Sequence, residues 1–233
     1  SVQTVFDILT EKLGLKTSSI QNICWFLTLN NDFSPDMRKS LNMMVGGEVY
    51  SKDLKEGYNT ATSIYPDAIL GNKSATGMTA YNKELAKSLY KTEVEKLENK
   101  KFPPDITLYY YDDGNIKSVV TDIVGHWQSN LSAFVNIESV SSSELLINEL
   151  KTREYKMAFF PVRADSKRAY EYLEKFGINS NDLALSQTEI LKNNNIIPIM
   201  FQNTVIAYSP ALSEVVSTGE DGYIDFSFII KTE

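Results

Sequence analysis

Between Asp105 and Phe176 the hydrophobic pattern switches repeatedly between strand and helix, and this alternation constrains the fold more than any other feature of the chain. Asp105 to Tyr111 reads as a strand and Asp112-Asp113-Gly114 as a turn. A helix follows, with Ile116, Val119, Val120, Ile123, Val124, Trp127 and Leu131 on one face, at the spacing of a helix packed on a sheet. Phe134 to Val140 is a second strand. Ser141 and Glu144 form a capping box that opens a helix to about Arg153. Lys156 to Val162 is a third strand, and Ala169, Tyr172, Leu173 and Phe176 mark the next helix. Strands alternating with helices predict an α/β fold, with parallel strands in a mixed sheet and helices on its faces. Ligands of such sheets collect at the carboxyl ends of the strands, and Asp165 stands at one of those ends.

The flanking regions read less sharply. Val5, Ile8, Leu9 and Leu13 give a first helix that Gly14 ends. Ile20 to Asn30 is a strand rich in aromatic and β-branched residues. A helix runs from about Asp36 to Val45, stopped by Gly46-Gly47, and a shorter one from Glu48 to Lys55. Residues 57–80 combine glycines, Pro66 and many Ser, Thr and Asn without a period, the pattern of a long surface loop. Asn82 to Asn99 is a charged helix using Leu85, Leu89, Val94 and Leu97, and Pro103-Pro104 stops the chain before the next strand. Asp182 to Lys192 is helical. Ile196 to Tyr208 is one long strand that Pro198 bends or confines to an edge. Ser209 to Gly219 is irregular, and Tyr223 to Ile230 is a last alternating strand.

Composition excludes several classes of function. The chain has 233 residues, 42% of them hydrophobic, enough for a sizeable core in one large domain or two small ones. Its net charge of −7, with basic residues scattered among acidic ones, argues against a nucleic-acid surface. Cys24 is the only cysteine and lies in an apolar strand, so it reads as a buried structural thiol and forms no internal disulfide. No apolar run reaches the length of a membrane span. The first residues lack the basic and apolar regions of a signal peptide.

Catalytic signals are weak. His126, the only histidine, sits inside the helix after Gly114, beside its apolar stripe, and no serine lies in a nucleophile motif. One His and one Cys a hundred residues apart make a poor zinc site, and no cofactor motif is present. Gly71-Asn-Lys-Ser74 lacks the leading spacing and the strand of a phosphate loop. Asp112 and Asp113, beside Gly114, read as turn and cap residues. Tyr109, Tyr110 and Tyr111 must place side chains on both faces of their strand, one face in the core and the other under a helix or stacked on a ligand. Asp165 has two readings: either it or Ser166 caps the helix that follows, or it is an anion aimed into a cleft to pair with a ligand cation.

In order and spacing the chain resembles the C-terminal lobe of the family 5 extracellular solute-binding proteins, the oligopeptide and nickel receptors of ABC importers. The resemblance is carried by Cys24-Trp-Phe-Leu-Thr-Leu-Asn-Asn-Asp-Phe33, by the helix start Asp36-Met-Arg-Lys-Ser-Leu41, and by the helix and strand from Ile123 to Val140. It continues through Tyr155-Lys-Met-Ala-Phe-Phe-Pro-Val-Arg-Ala-Asp165 with Tyr170-Glu-Tyr-Leu173, and through Ile196-Ile-Pro-Ile-Met-Phe201. Departures mark a divergent member. Met43-Met-Val-Gly-Gly47 stands where the family has an Asp-Arg pair, Val162 where a Trp is common, and Ala169 where a Pro is usual; the stretch from Phe176 to Ile196 is short.

The resemblance implies a periplasmic-binding-protein-like lobe, a single fragment whose core spans about residues 30–200. Strands near 22–30 and 196–206 would cross to an N-terminal lobe of the same full-length protein, and residues 1–20 and 207–233 would touch that lobe. The implied function is solute binding for an ABC permease, by closure on a peptide or another small solute. The protein would not be an enzyme and would carry no cofactor or metal. It would reside in the cell envelope, on the outer face of the membrane or in the periplasm, as a lipoprotein whose anchor lies outside this sequence. The implied ligand-binding residues are Asp165, Arg163 and Val162, with Asp165 pairing with a ligand's α-ammonium. At Phe159 there is no arginine to hold a ligand carboxylate. A competing reading is the ligand-sensing domain of a transcription regulator, since some regulators resemble this family in their C-terminal part.

Overall fold

The computed structural model describes residues 7–8, 10–69, 71, 77–140 and 155–210. The helix opened by Ser141 and Glu144, residues 72–76 of the phosphate-loop-like stretch, Val5 and Leu9 of the first helix, the irregular stretch after Pro210, and the strand Tyr223 to Ile230 lie outside the described residues.

The elements, in chain order, are β1 (Lys16–Leu29), α1 (Pro35–Met43), α2 (Gly47–Tyr50) with a 3-10 turn at Ser51–Asp53, β2 (Tyr58–Thr60), α3 (Lys83–Glu95) and β3 (Thr107–Tyr111). They continue with α4 (Lys117–Leu131), β4 (Asn136–Val140), β5 (Met157–Arg163), α5 (Ala169–Glu174), α6 (Leu183–Leu191) and β6 (Ile196–Tyr208). The strands form one mixed sheet in the order β2-β6-β1-β5-β3-β4. β3 pairs in parallel with both β4 and β5, as the alternation of strands and helices predicts. β1 pairs antiparallel with β5 and β6, and β2 pairs antiparallel with β6.

Local chemistry explains the boundaries. Gly14 adopts a left-handed φ of 62°, and Leu15 N–H reaches back to the Thr10 carbonyl at 2.9 Å, closing a helical turn before β1. Ser34 caps α1 by accepting from Met37 N–H at 3.1 Å, with Pro35 in the first turn, where a missing N–H costs nothing. In the turn after β3, Asp112 Oδ1 accepts from Gly114 N–H at 2.9 Å and from Ile116 N–H at 3.3 Å, while Gly114 takes a φ of 93°. Pro198 lies opposite Phe26, next to a register shift, so β6 accommodates it at an irregularity and stays paired.

The sheet separates two apolar layers. On one face Trp25, Leu27, Leu29, Phe159 and Met157 pack under α1, α3 and α4. On the other, Cys24, Phe26 and Val162 pack under α5, α6 and residues 61–69. All seven residues expected on the apolar face of α4 are buried.

Two expectations are corrected. Residues 57–69 do not form a surface loop: β2 opens them, and Ile64, Tyr65 and Ile69 are almost fully buried in the second layer. Irregular backbone can be buried only if its polar groups find partners, and here side chains supply them. Gln187 accepts from Ile64 N–H at 3.0 Å, Tyr172 donates to the Ile64 carbonyl at 2.8 Å, and Ser63 Oγ accepts from Tyr65 N–H at 3.0 Å. In α3 the fully buried residues are Ala86, Tyr90 and Glu93; Leu89, Val94 and, just past the helix, Leu97 pack against the first layer as expected, and only Leu85, 43% exposed, departs. Asn82 caps the helix at Leu85 N–H, and Tyr90 packs against Phe102 with ring centroids 6.1 Å apart, so the helix turns the Tyr90 face inward.

Candidate ligand-binding site

β3, β4 and β5 all point their carboxyl ends toward the same edge of the sheet. At that edge the sheet narrows. β5 leaves its pairing with β1 at Ile23, whereas β1 and β6 remain paired out to Lys16 and Tyr208. A two-stranded ribbon therefore projects past the strand tips, and a register shift between Gln21 and Ile23 marks its base.

Polar links fasten the tips to the ribbon. Arg163 Nη2 donates to Thr204 Oγ1 at 3.1 Å, and the Thr204 hydroxyl donates to Asn22 Oδ1 at 2.6 Å. Ala164 N–H donates to the Asn22 carbonyl at 2.7 Å. Two residues earlier on β6, Gln202 Oε1 accepts from Trp25 Nε1 at 2.7 Å, and its amide lies 3.4 Å from Asp113 Oδ2. Tyr58 OH donates to the same Asp113 oxygen. Burial, and then the Asp113 carboxylate, push the Tyr58 phenol up, so it stays a proton donor. The Trp25 ring lies stacked between Tyr111, at 6.1 Å and 8°, and Phe159, at 5.6 Å and 24°. The aromatic strand thus uses Tyr111 to close the end of the first layer; Tyr110 is buried, and Tyr109 packs on Tyr155 at 4.2 Å.

Asp165 does not cap the following helix. The residue at the cap of α5 is Arg168, with no side-chain cap bond, and Ser166 Oγ accepts from Arg168 N–H at 3.1 Å. Asp165 is instead ion-paired with Lys175, whose ammonium also donates to the Arg163 carbonyl at 2.6 Å. The structure thus brings Asp165 and Arg163 together through Lys175. Val162 points to the other face of the strand, as strict alternation requires, and is buried in the second layer with Phe26 and Leu173. The sequence does not single out Thr204, Asn22, Gln202, Asp113 or Tyr58 as partners, because each of their links joins elements far apart in the chain, nor Lys175, which only the turn of α5 brings back to the strand tip.

The other titratable candidates lie elsewhere. On α4, His126 Nε2 is 3.3 Å from the hydroxyl of Tyr81, and burial, then Lys83, lowers its pKa. Cys24 is fully buried, and burial pushes its thiol up. Among the described residues no three His, Cys, Asp or Glu side chains cluster as a metal site, and no helix is long and apolar enough to cross a membrane. A cleft of about 460 Å³ lies between α3 and the end of α4, lined in part by Tyr90 and Ser132, and one of about 250 Å³ lies at the amino ends of β3 and β5, lined in part by Phe33 and Pro103.

No protein-family model and no curated protein matches the sequence. Solved structures match the fold. OppA of Burkholderia pseudomallei superposes with a TM-score of 0.65 at 15% identity, over 88% of this chain and 48% of that one. The ABC transporter-associated periplasmic binding protein DppA from Helicobacter pylori, in complex with the peptide STSA, gives 0.65 at 17% identity, over 85% and 46%. Haemophilus influenzae OppA in complex with RPPGFSPFR gives 0.60 at 16%, over 87% and 47%. The chain spans about half the length of the structures it matches. At these identities the likeness is one of fold: a mixed sheet with flanking helices, consistent with one lobe of a periplasmic binding protein.

Proposed function

We propose that this chain is the solute-binding C-terminal lobe of an ABC-importer receptor, acting in the cell envelope and closing on a peptide or another small solute. The observation that carries the reading is the β1–β6 ribbon, which leaves the sheet beside the tips of β3 and β5. Two strands entering and leaving together make a hinge for an N-terminal lobe of the same full-length protein, and the strand tips then face the cleft between the lobes. The peptide complexes of the matching DppA and OppA structures support a peptide as the solute. In this reading Arg163 and Asp165 face the ligand, and Val162 holds the strand tip from beneath. The chain's role in this reading is to bind, and the permease reads its closure.

A lobe alone encloses half of its ligand, whereas deep sites bury most of theirs. Isothermal calorimetry of the 233-residue chain against a peptide library is expected to give binding no tighter than about the millimolar range. Sub-micromolar binding by this chain alone would refute the two-lobe reading.

A further inference from the structure

We infer that Arg163 takes the carboxylate end of a peptide-like ligand, while Lys175 keeps Asp165 engaged, so that the strand tips read an anion and not an ammonium. The inference rests on the solute-binding reading above and deepens it.

The charge count sets the frame. From Arg163 to Lys175 the chain carries four cations (Arg163, Lys167, Arg168, Lys175) against three anions (Asp165, Glu171, Glu174), in a protein whose net charge is −7. Pairing within the segment decides which charge is left over. Arg168 pairs with Glu171 at 3.2 Å, and Lys175 pairs with Asp165. The Lys175 ammonium has a second anchor in the Arg163 carbonyl, which is fixed by the strand. A ligand ammonium approaching Asp165 therefore meets a resident ammonium. To dock it must evict Lys175 from two acceptors, or tolerate a like charge within a few ångströms.

Arg163 is placed differently. One of its five N–H donors goes to Thr204 Oγ1, and among the described residues it has no carboxylate partner. The Thr204–Asn22 link fixes that hydroxyl, so the guanidinium is held over the base of the ribbon with donors to spare. A planar guanidinium with an open edge matches a carboxylate in a bidentate pair. The ligand carboxylate completes a charge that the described residues leave uncompensated, whereas an ammonium at Asp165 only replaces one that Lys175 already supplies.

The test is a ¹⁵N-NMR titration of the chain with three probes: trialanine, its C-terminal amide and its N-acetyl form. Trialanine and N-acetyl-trialanine are expected to shift the amides of Arg163, Ala164 and Thr204 with similar affinity, and the amide to bind about tenfold more weakly, or 1.4 kcal/mol. Asp165→Asn frees the Lys175 ammonium beside Arg163 and should tighten trialanine binding, and Arg163→Gln should weaken it and shrink the difference between acid and amide. Lys175→Met frees Asp165, so N-acetylation should then weaken binding. Binding that survives amidation but is lost on N-acetylation or in Asp165→Asn would overturn this inference and leave the solute-binding reading standing. No shift at the strand tips with any probe would overturn this inference and leave standing the two-lobe reading, which expects one lobe alone to bind weakly.

Discussion

Single side chains in this protein tie distant elements together, and Glu93 is the clearest case outside the site. It is 6% exposed, on the inner face of α3, and accepts from both the Ser34 hydroxyl and Lys96. Ser34 Oγ also caps α1, so one hydroxyl joins the cap of one helix to the face of another. Lys96, and then Ser34, hold the Glu93 carboxyl below the usual carboxylate range, against an opposing push from burial. The folded pKa lies below the unfolded one. The stabilisation is therefore present above the unfolded value of about 4.3 and fades as pH falls through the folded one. Glu93→Gln keeps the shape and removes the charge, so it should cost roughly 1–2 kcal/mol at neutral pH. Urea denaturation at pH 7 and pH 3 checks this: the gap to the parent protein should close at the lower pH, and an equal gap at both would assign the loss to packing. At this scale the sequence was partly legible. Asp165 at a strand tip could be placed from the run Tyr155 to Leu173. Its partner could not, because the six-residue helix α5 is what returns Lys175 to the strand end. Strand parity alone separates Arg163 from Val162, since neighbours on a strand face opposite ways.

Among the elements, legibility followed the locality of the stabilising interactions. The unit β3–α4–β4 is readable because its strands and helix each keep one period and pack on near neighbours. Residues 57–69 are unreadable because their burial depends on Gln187 and Tyr172, more than a hundred residues away. The outer half of β1 is similar: Lys16-Thr-Ser-Ser19 has no strand pattern, and only its pairing with Val205 to Tyr208 makes it a strand. A two-stranded ribbon is marginal by itself. Hydrogen exchange should therefore divide β1 at Asn22, with the amides of Cys24 to Leu29 protected to near the global stability and those of Lys16 to Gln21 exchanging faster by orders of magnitude. Uniform protection along all of β1 would contradict a ribbon that depends on a partner for its order.

In the whole molecule, the two apolar layers share one sheet, and β1 contributes alternate residues to both. Neither layer can be lost while β1 keeps its pairing, so the described core should unfold as one unit. Trp25 and Trp127 both lie in the first layer. Tryptophan fluorescence and far-ultraviolet circular dichroism should give coincident urea transitions, and two separated transitions would show the layers to be independent. The position of β1 also governs how the protein can be made. Its partners are residues 157–163 and 196–208, so β1 is made well before either of its neighbours. Until they follow, Cys24 to Leu29 is an unpaired strand in an incomplete chain, the kind of species that aggregates. Pairings at such sequence distance close slowly. The described sheet therefore cannot close until β6 is made, and β1 depends until then on whatever shields it.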